Sequence, residues 1–161
     1  LVDTIKWSVT AEVDVVFTVE LLPIDLLDSA PYYLKLMAKQ MNQCFECCLY
    51  DAVLVMMRKL IETLIIECFE RYGIDENIKD NNGQFLFLSD LIPRFTASDK
   101  WNISRNLEVH IKKVKKYGDL SAHNRRFLAK KSDMNDFRFE LRQAVQEIIM
   151  IIDYINWNRE N

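Results

Sequence analysis

The chain has 161 residues, 50% hydrophobic and 28% charged, with three glycines, three prolines and a formal net charge of −3. That length supports one compact core rather than two, and so few turn-forming residues argue against a sandwich or barrel and for long helices joined by short links. No run reaches the roughly 18 to 20 apolar residues needed to cross a bilayer and no signal-peptide pattern opens the chain, so it reads as soluble, unexported and cytoplasmic, with no membrane partner.

The expected elements begin with an extended arm. From Ile5 to Leu21 every odd position is apolar and seven of the eight even positions are polar. A period of two means strand, and seventeen residues make it long enough to bend or split near Ser8 to Thr10. No partner strand follows, which predicts pairing with a copy of itself, with a parent chain or with another protein. The chain opens on Leu1 rather than Met and so reads as a piece of a longer one. Residues 1–22 are therefore taken as an arm and 23–161 as a helical bundle.

Five helices are expected in the bundle. The first is capped by Asp28 or Ser29 with Pro31 in its first turn, and its stripe is Tyr33, Leu36, Met37, Met41, Cys44, Phe45 and Cys48. The second, from about Tyr50 to Tyr72, is apolar nearly all round, which marks it as central, and stops at Gly73. After a polar link ending in Asn81-Asn82-Gly83, FLFLSDLIPRF gives a short third helix limited or kinked by Pro93. The fourth starts at Ser98 or Asp99, runs through Trp101, Ile103, Leu107, His110, Ile111 and Val114, and ends at Gly118. The fifth starts at Ser132 or Asp133 and carries the stripe Met134, Phe137, Leu141, Ala144, Val145, Ile148, Ile152 and Ile155. The fold class is all-α, an antiparallel bundle of about five helices behind an extended β segment.

Charge is unevenly distributed. From Lys112 to Lys131 there are eight Lys and Arg residues against one acid, Asp119, so this stretch carries +7 and the remainder −10. A concentrated basic stretch on an acidic protein points to an anionic partner, nucleic acid first. The candidate contacts are Lys112, Lys113, Lys115, Arg125, Arg126, Lys130 and Lys131. The bland reading of the lysines, opposition to a helix dipole ahead of a Gly118 cap, leaves Arg125, Arg126, Lys130 and Lys131 unexplained.

Both histidines of the chain lie near this stretch. Arg105 and His110 form an Arg-x4-His pattern, but five helical residues turn the two side chains about 140° apart, so His110 reads as scaffolding. His123 follows Gly118 in GDLSAHNRR, where a turn fixed by rigid helices can present Asp119, Ser121, His123 and Arg125 to one another and to solvent. Cys44, Cys47 and Cys48 share a helical face without a fourth ligand, so core cysteine outweighs a metal site, and the four cysteines are read as reduced thiols. Arg58 and Glu62 are spaced as a helix-stabilising pair. No phosphate loop, nucleophile elbow or His-Glu-x-x-His is present, which argues against an NTPase, a serine hydrolase or a zincin.

The order of LLPIDLLDSAPYYLKLMAKQ, YDAVLVMMRKLIETLI, LSDLIPRF and KKYGDLSAHN resembles a bacterial HEPN (higher eukaryotes and prokaryotes nucleotide-binding) domain, over roughly residues 22 to 155. KKYGDLSAHN is similar to the Gly-Asn-x-Ala-Ala-His signature of its defence-associated branch. The resemblance implies a homodimeric bundle in a phage-defence or toxin-type system that binds RNA and cleaves it without metal or other cofactor, through paired Arg-x4-6-His motifs. Carried over residue by residue, His123 matches the histidine, Asp119 replaces an asparagine, and Lys116 stands at the widest spacing where an arginine is usual. In the chemistry, a base takes the 2′-hydroxyl proton, an acid protonates the leaving oxygen and a cation steadies the phosphate. Imidazole suits the first two tasks and a fixed cation the third. The alternative is a non-catalytic dimerisation or interaction module with a degenerate motif.

Overall fold

In the computed structural model, which describes residues 20–157, five helices follow one another: α1 (Tyr32–Glu46), α2 (Tyr50–Arg71), α3 (Leu88–Thr96), α4 (Arg105–His123) and α5 (Lys131–Ile152). Short 3-10 turns sit at Ile24–Leu27, Asp75–Ile78 and Tyr154–Asn156. Among the described residues the β structure is one isolated antiparallel bridge, Lys79 with Phe85. The arm expected over residues 5–21 lies, as far as Val19, outside the described residues.

Central burial belongs to α2, as its composition predicts. Val53, Leu54, Met57, Leu60, Ile61, Leu64 and Ile65 are all fully buried, and the helix packs against α1, α3, α4 and α5. Gly73, at φ +66°, supplies the left-handed residue just beyond its end, which costs glycine nothing. One polar group is buried along it: Glu67, whose Oε2 accepts from the Tyr154 hydroxyl.

The chain enters the core at Leu21 and Leu22, both fully buried. Main-chain atoms hold it there. Asn42 on α1 accepts from Leu22 N–H at 3.1 Å and donates to its carbonyl at 2.8 Å, and Arg142 on α5 donates to the carbonyls of Glu20 and Leu21 at 2.6 and 3.0 Å. This explains why α1 buries Leu34, Ala38 and Asn42 beside Met41 and Phe45 of the expected stripe, with Met37 and Cys44 half-buried against the core. A buried asparagine moves the inward face, leaving Tyr33, Leu36 and Cys48 exposed. Pro31 directly precedes α1 with extended ψ 153°, and a residue before proline avoids helical angles, so Asp28 and Ser29 lie outside the helix instead of capping it.

Pro93 sits inside α3, which continues to Thr96. The main correction concerns α4. It starts at Arg105, not near Ser98, because Ser104 caps it: the hydroxyl oxygen accepts from Leu107 N–H at 3.1 Å, while Glu147 on α5 accepts from Ser104 N–H and Oγ–H at 2.6 and 2.7 Å. Trp101 therefore precedes the helix, its indole donating to the Phe95 carbonyl at 3.0 Å. Nor does Gly118 end α4, which runs five residues further to His123. Gly118 is buried and faces the stem of Arg58 on α2, where an added Cβ would meet Arg58 Cβ at 3.6 Å.

α5 packs antiparallel on α4 and buries the predicted stripe as far as Ile152; Asp153, at φ +51°, then ends the helix and leaves Ile155 exposed.

The 3.6 Å separation is an ordinary van der Waals distance and the backbone there is helical, so Gly118→Ala is expected to fold and to be stabilised by about 0.5–1 kcal/mol in chemical denaturation. Destabilisation would mean that the helix needs a flexible residue at this point.

Candidate nucleic-acid interface

α4 carries Lys112, Lys115, Lys116, Asp119, Leu120 and His123 along one side, where with Asn124 they line a groove of about 540 Å³. His123 is thus the last residue of a helix rather than a loop residue, and it is exposed. The helix continues past the glycine because the far end of α4 is fastened to α2. Asp51, in the first turn of α2, accepts from Ser121 Oγ–H at 3.2 Å and from Ala129 N–H at 3.5 Å.

The 124–130 connection is a tight turn. Asn124 Oδ1 accepts from Arg126 N–H at 3.1 Å, Phe127 N–H donates to the Asn124 carbonyl at 2.9 Å, and Phe127 and Ala129 pack against the core. Arg125, Arg126, Leu128 and Lys130 are left pointing outward and exposed. Asp133 accepts from Lys130 N–H at 2.7 Å and so starts α5.

The predicted cations divide into two groups. Lys112 pairs with Glu108 at 2.5 Å, Lys113 with Glu140 at 3.0 Å and Asp136 at 3.4 Å, and Lys115 with Asp119. These three are neutralised locally. Lys116, Arg125, Arg126, Lys130 and Lys131 are exposed and form no ion pair among the described residues. The set of exposed cations without ion pairs among the described residues is therefore narrower than the basic stretch of sequence, and it lies on the last two turns of α4 and the turn that follows.

Asp119, one turn before His123, is held from two helices: Arg58 Nη1 on α2 lies 3.2 Å from its Oδ1, and Lys115 reaches Oδ2. Arg58 thus pairs across to α4 and not, as its spacing suggests, with Glu62. Left half-buried beside it, the Glu62 carboxyl is pushed up by burial, with Arg58 opposing that shift. A similar bond joins α4 to α5: the Tyr117 hydroxyl donates to Asp136 at 2.5 Å, which pushes the phenol up to about 12 and, with Lys113, holds Asp136 below the usual carboxylate range.

Arg105 and His110 do not converge. Arg105 is exposed at the first position of α4, whereas His110 is half-buried, edge-on to Phe139 at 5.9 Å, with Nδ1 shielded. Of the cysteines only Cys68 is a core residue; Cys47 and Cys48 are exposed and Cys44 is half-buried, because the helix ends under them. Among the described residues no three His, Cys, Asp or Glu side chains gather as a metal site. No family model, curated protein or solved structure matches this chain.

Sequence reasoning missed Asp51 and the cross-helix role of Arg58. An acid in the first turn of a helix reads as dipole compensation, and only the path of α4 shows what these two hold. Asp51→Ala is expected to cost about 1 kcal/mol and to speed hydrogen exchange at the Ala129 amide selectively, read by NMR.

The Glu62 carboxyl titrates higher in the folded chain than in the unfolded one, so its ionised form works against folding. Glu62→Gln should therefore raise Tm at pH 7, with the gain vanishing as the pH falls below about 4, where the carboxyl is protonated as well.

Proposed function

We propose that this chain is a HEPN-like bundle that binds RNA through the end of α4 and the 124–131 turn, and that His123 serves it as the proton-transfer group of a metal-independent endoribonuclease. The observation that carries the reading is the row of exposed cations without ion pairs among the described residues, Lys116, Arg125, Arg126, Lys130 and Lys131, around an exposed imidazole. Lys113, by contrast, is taken up by Glu140 and Asp136.

In this reading phosphates lie along the turn. Lys116, nearly two turns before His123 on α4, steadies the charge that develops on phosphorus. His123 takes the proton of a ribose 2′-hydroxyl as its oxygen attacks the adjacent phosphorus; the phosphorus bond to the 5′-oxygen breaks, and that oxygen needs a proton. A second copy of the chain, bringing its own imidazole, would give it. The homodimer and the defence or toxin setting belong to the same proposal and are supported by the sequence resemblance.

One observation favours the second reading, a non-catalytic interaction module. Asp119, the polar neighbour expected to work with His123, is engaged by Arg58 and Lys115, and no arginine precedes the histidine at motif spacing.

Labelled single-stranded RNA incubated with the protein in EDTA separates the two. Cleavage lost in His123→Ala and kept in His110→Ala is expected from the first; absence of cleavage in the parent protein selects the second.

Binding has its own measurement. Five phosphates neutralised on a single strand predict a slope of about −3.5 in log affinity against log salt, roughly a hundredfold loss between 50 and 200 mM. The double variant Arg125→Ala/Arg126→Ala should flatten that slope by about 1.4. A salt-independent affinity would remove the RNA reading altogether.

A further inference from the structure

Asp119 is the lone acid between Lys112 and Lys131, yet it is the residue on which cations from two helices converge. Its oxygens are divided between them, Oδ1 to Arg58 and Oδ2 to Lys115, an arrangement in which a phosphate could replace a carboxylate oxygen for oxygen. Neither cation has another carboxylate within 4.0 Å among the described residues. The cluster is not sealed: the side chains of Arg58, Lys115 and Asp119 retain 25%, 27% and 32% of their exposure. Lys115 and Asp119 also line the same groove as His123.

We propose that Arg58 and Lys115 form a phosphate subsite that Asp119 occupies as an internal counter-anion, so that this carboxylate competes with RNA instead of assisting it. The inference rests on the RNA reading for its ligand and adds α2 to the binding surface. A phosphate entering the groove displaces the carboxylate, takes both cations as partners and leaves Asp119 to solvent. Because ion pairs this exposed contribute little to stability, the exchange is cheap for the fold. The guanidinium absent at motif spacing ahead of His123 is thereby supplied from another helix.

The sign of the effect separates this from a purely structural ion pair. With a labelled single-stranded oligoribonucleotide, Asp119→Asn should bind about fivefold more tightly than the parent chain. Its salt dependence should steepen by about 0.7 for each additional phosphate neutralised. Adding Arg58→Ala to Asp119→Asn should cancel the tighter binding, and circular dichroism melts check that each variant is folded. Unchanged or weaker binding by folded Asp119→Asn overturns the proposal.

A second probe is independent of RNA. Millimolar inorganic pyrophosphate should raise the Tm of Asp119→Asn, but not that of the parent chain or of Arg58→Ala/Asp119→Asn. If that holds while no protein binds RNA, the subsite stands and the RNA reading falls. If the parent binds RNA with strong salt dependence while Asp119→Asn shows neither tighter binding nor a pyrophosphate-dependent Tm, the subsite falls and the RNA reading stands. Should Asp119→Asn fail to fold, Asp119→Ser takes its place, and failure of both makes the carboxylate a structural keystone and ends the proposal.

Discussion

The close approach of α4 to α2 at Gly118 governs the placement of everything from residue 118 to residue 131. There α4 lies against the stem of Arg58, at a distance that an alanine methyl would also fit, and the guanidinium passes on to Asp119. The helix therefore continues to His123 along the central helix, where a break would have swung its last turn into solvent. Asp51 completes the attachment by taking one hydrogen from Ser121 and one from the amide of Ala129. The exposed basic turn is held at both ends, while the side chains of Arg125 and Arg126 between them stay in solvent.

Local neutralisation shapes the surface as much as total charge does. The lysine on the flank of α4 facing α5, Lys113, is absorbed by Asp136 and Glu140, acids supplied by the neighbouring helix. The cations beyond the end of α4 meet no such acid among the described residues. A stretch that carries +7 in sequence thus leaves five exposed cations without ion pairs among the described residues, of which Lys116 shares a groove with the imidazole. Such a surface steers an anion toward one end of the bundle rather than along its whole length.

Elements defined by long apolar periodicity are legible in the sequence. α2 and the buried stripe of α5 follow from composition alone, and Gly73 behaves as the terminator it resembles. Gly118 looks the same, with lysines before it and an acid after it, and behaves oppositely. A glycine that ends a helix and a glycine that admits a neighbouring side chain share one local pattern, and only the helix lying opposite distinguishes them. Periodicity finds Met41 and Phe45 on the inward face of α1 but misses its edge for a related reason: a buried Asn42 is polar by composition, yet it is satisfied by the main chain of Leu22. Of the site, the basic residues and His123 are visible from charge and spacing. Of the pairs that divide the cations, Lys112–Glu108 and Lys115–Asp119 are spaced four apart on α4, whereas the partners of Lys113 and Arg58 lie more than twenty positions away and have no local signature, Arg58 being hidden behind the nearer Glu62.

The grip on Glu20, Leu21 and Leu22 is made through peptide groups, with Asn42 and Arg142 reading carbonyls and an amide rather than side chains. Such a clasp tolerates exchange of the clasped polar side chain but resists a change in backbone direction. Tension applied from the amino-terminal side would therefore be shared between α1 and α5, the helices that carry Asn42 and Arg142.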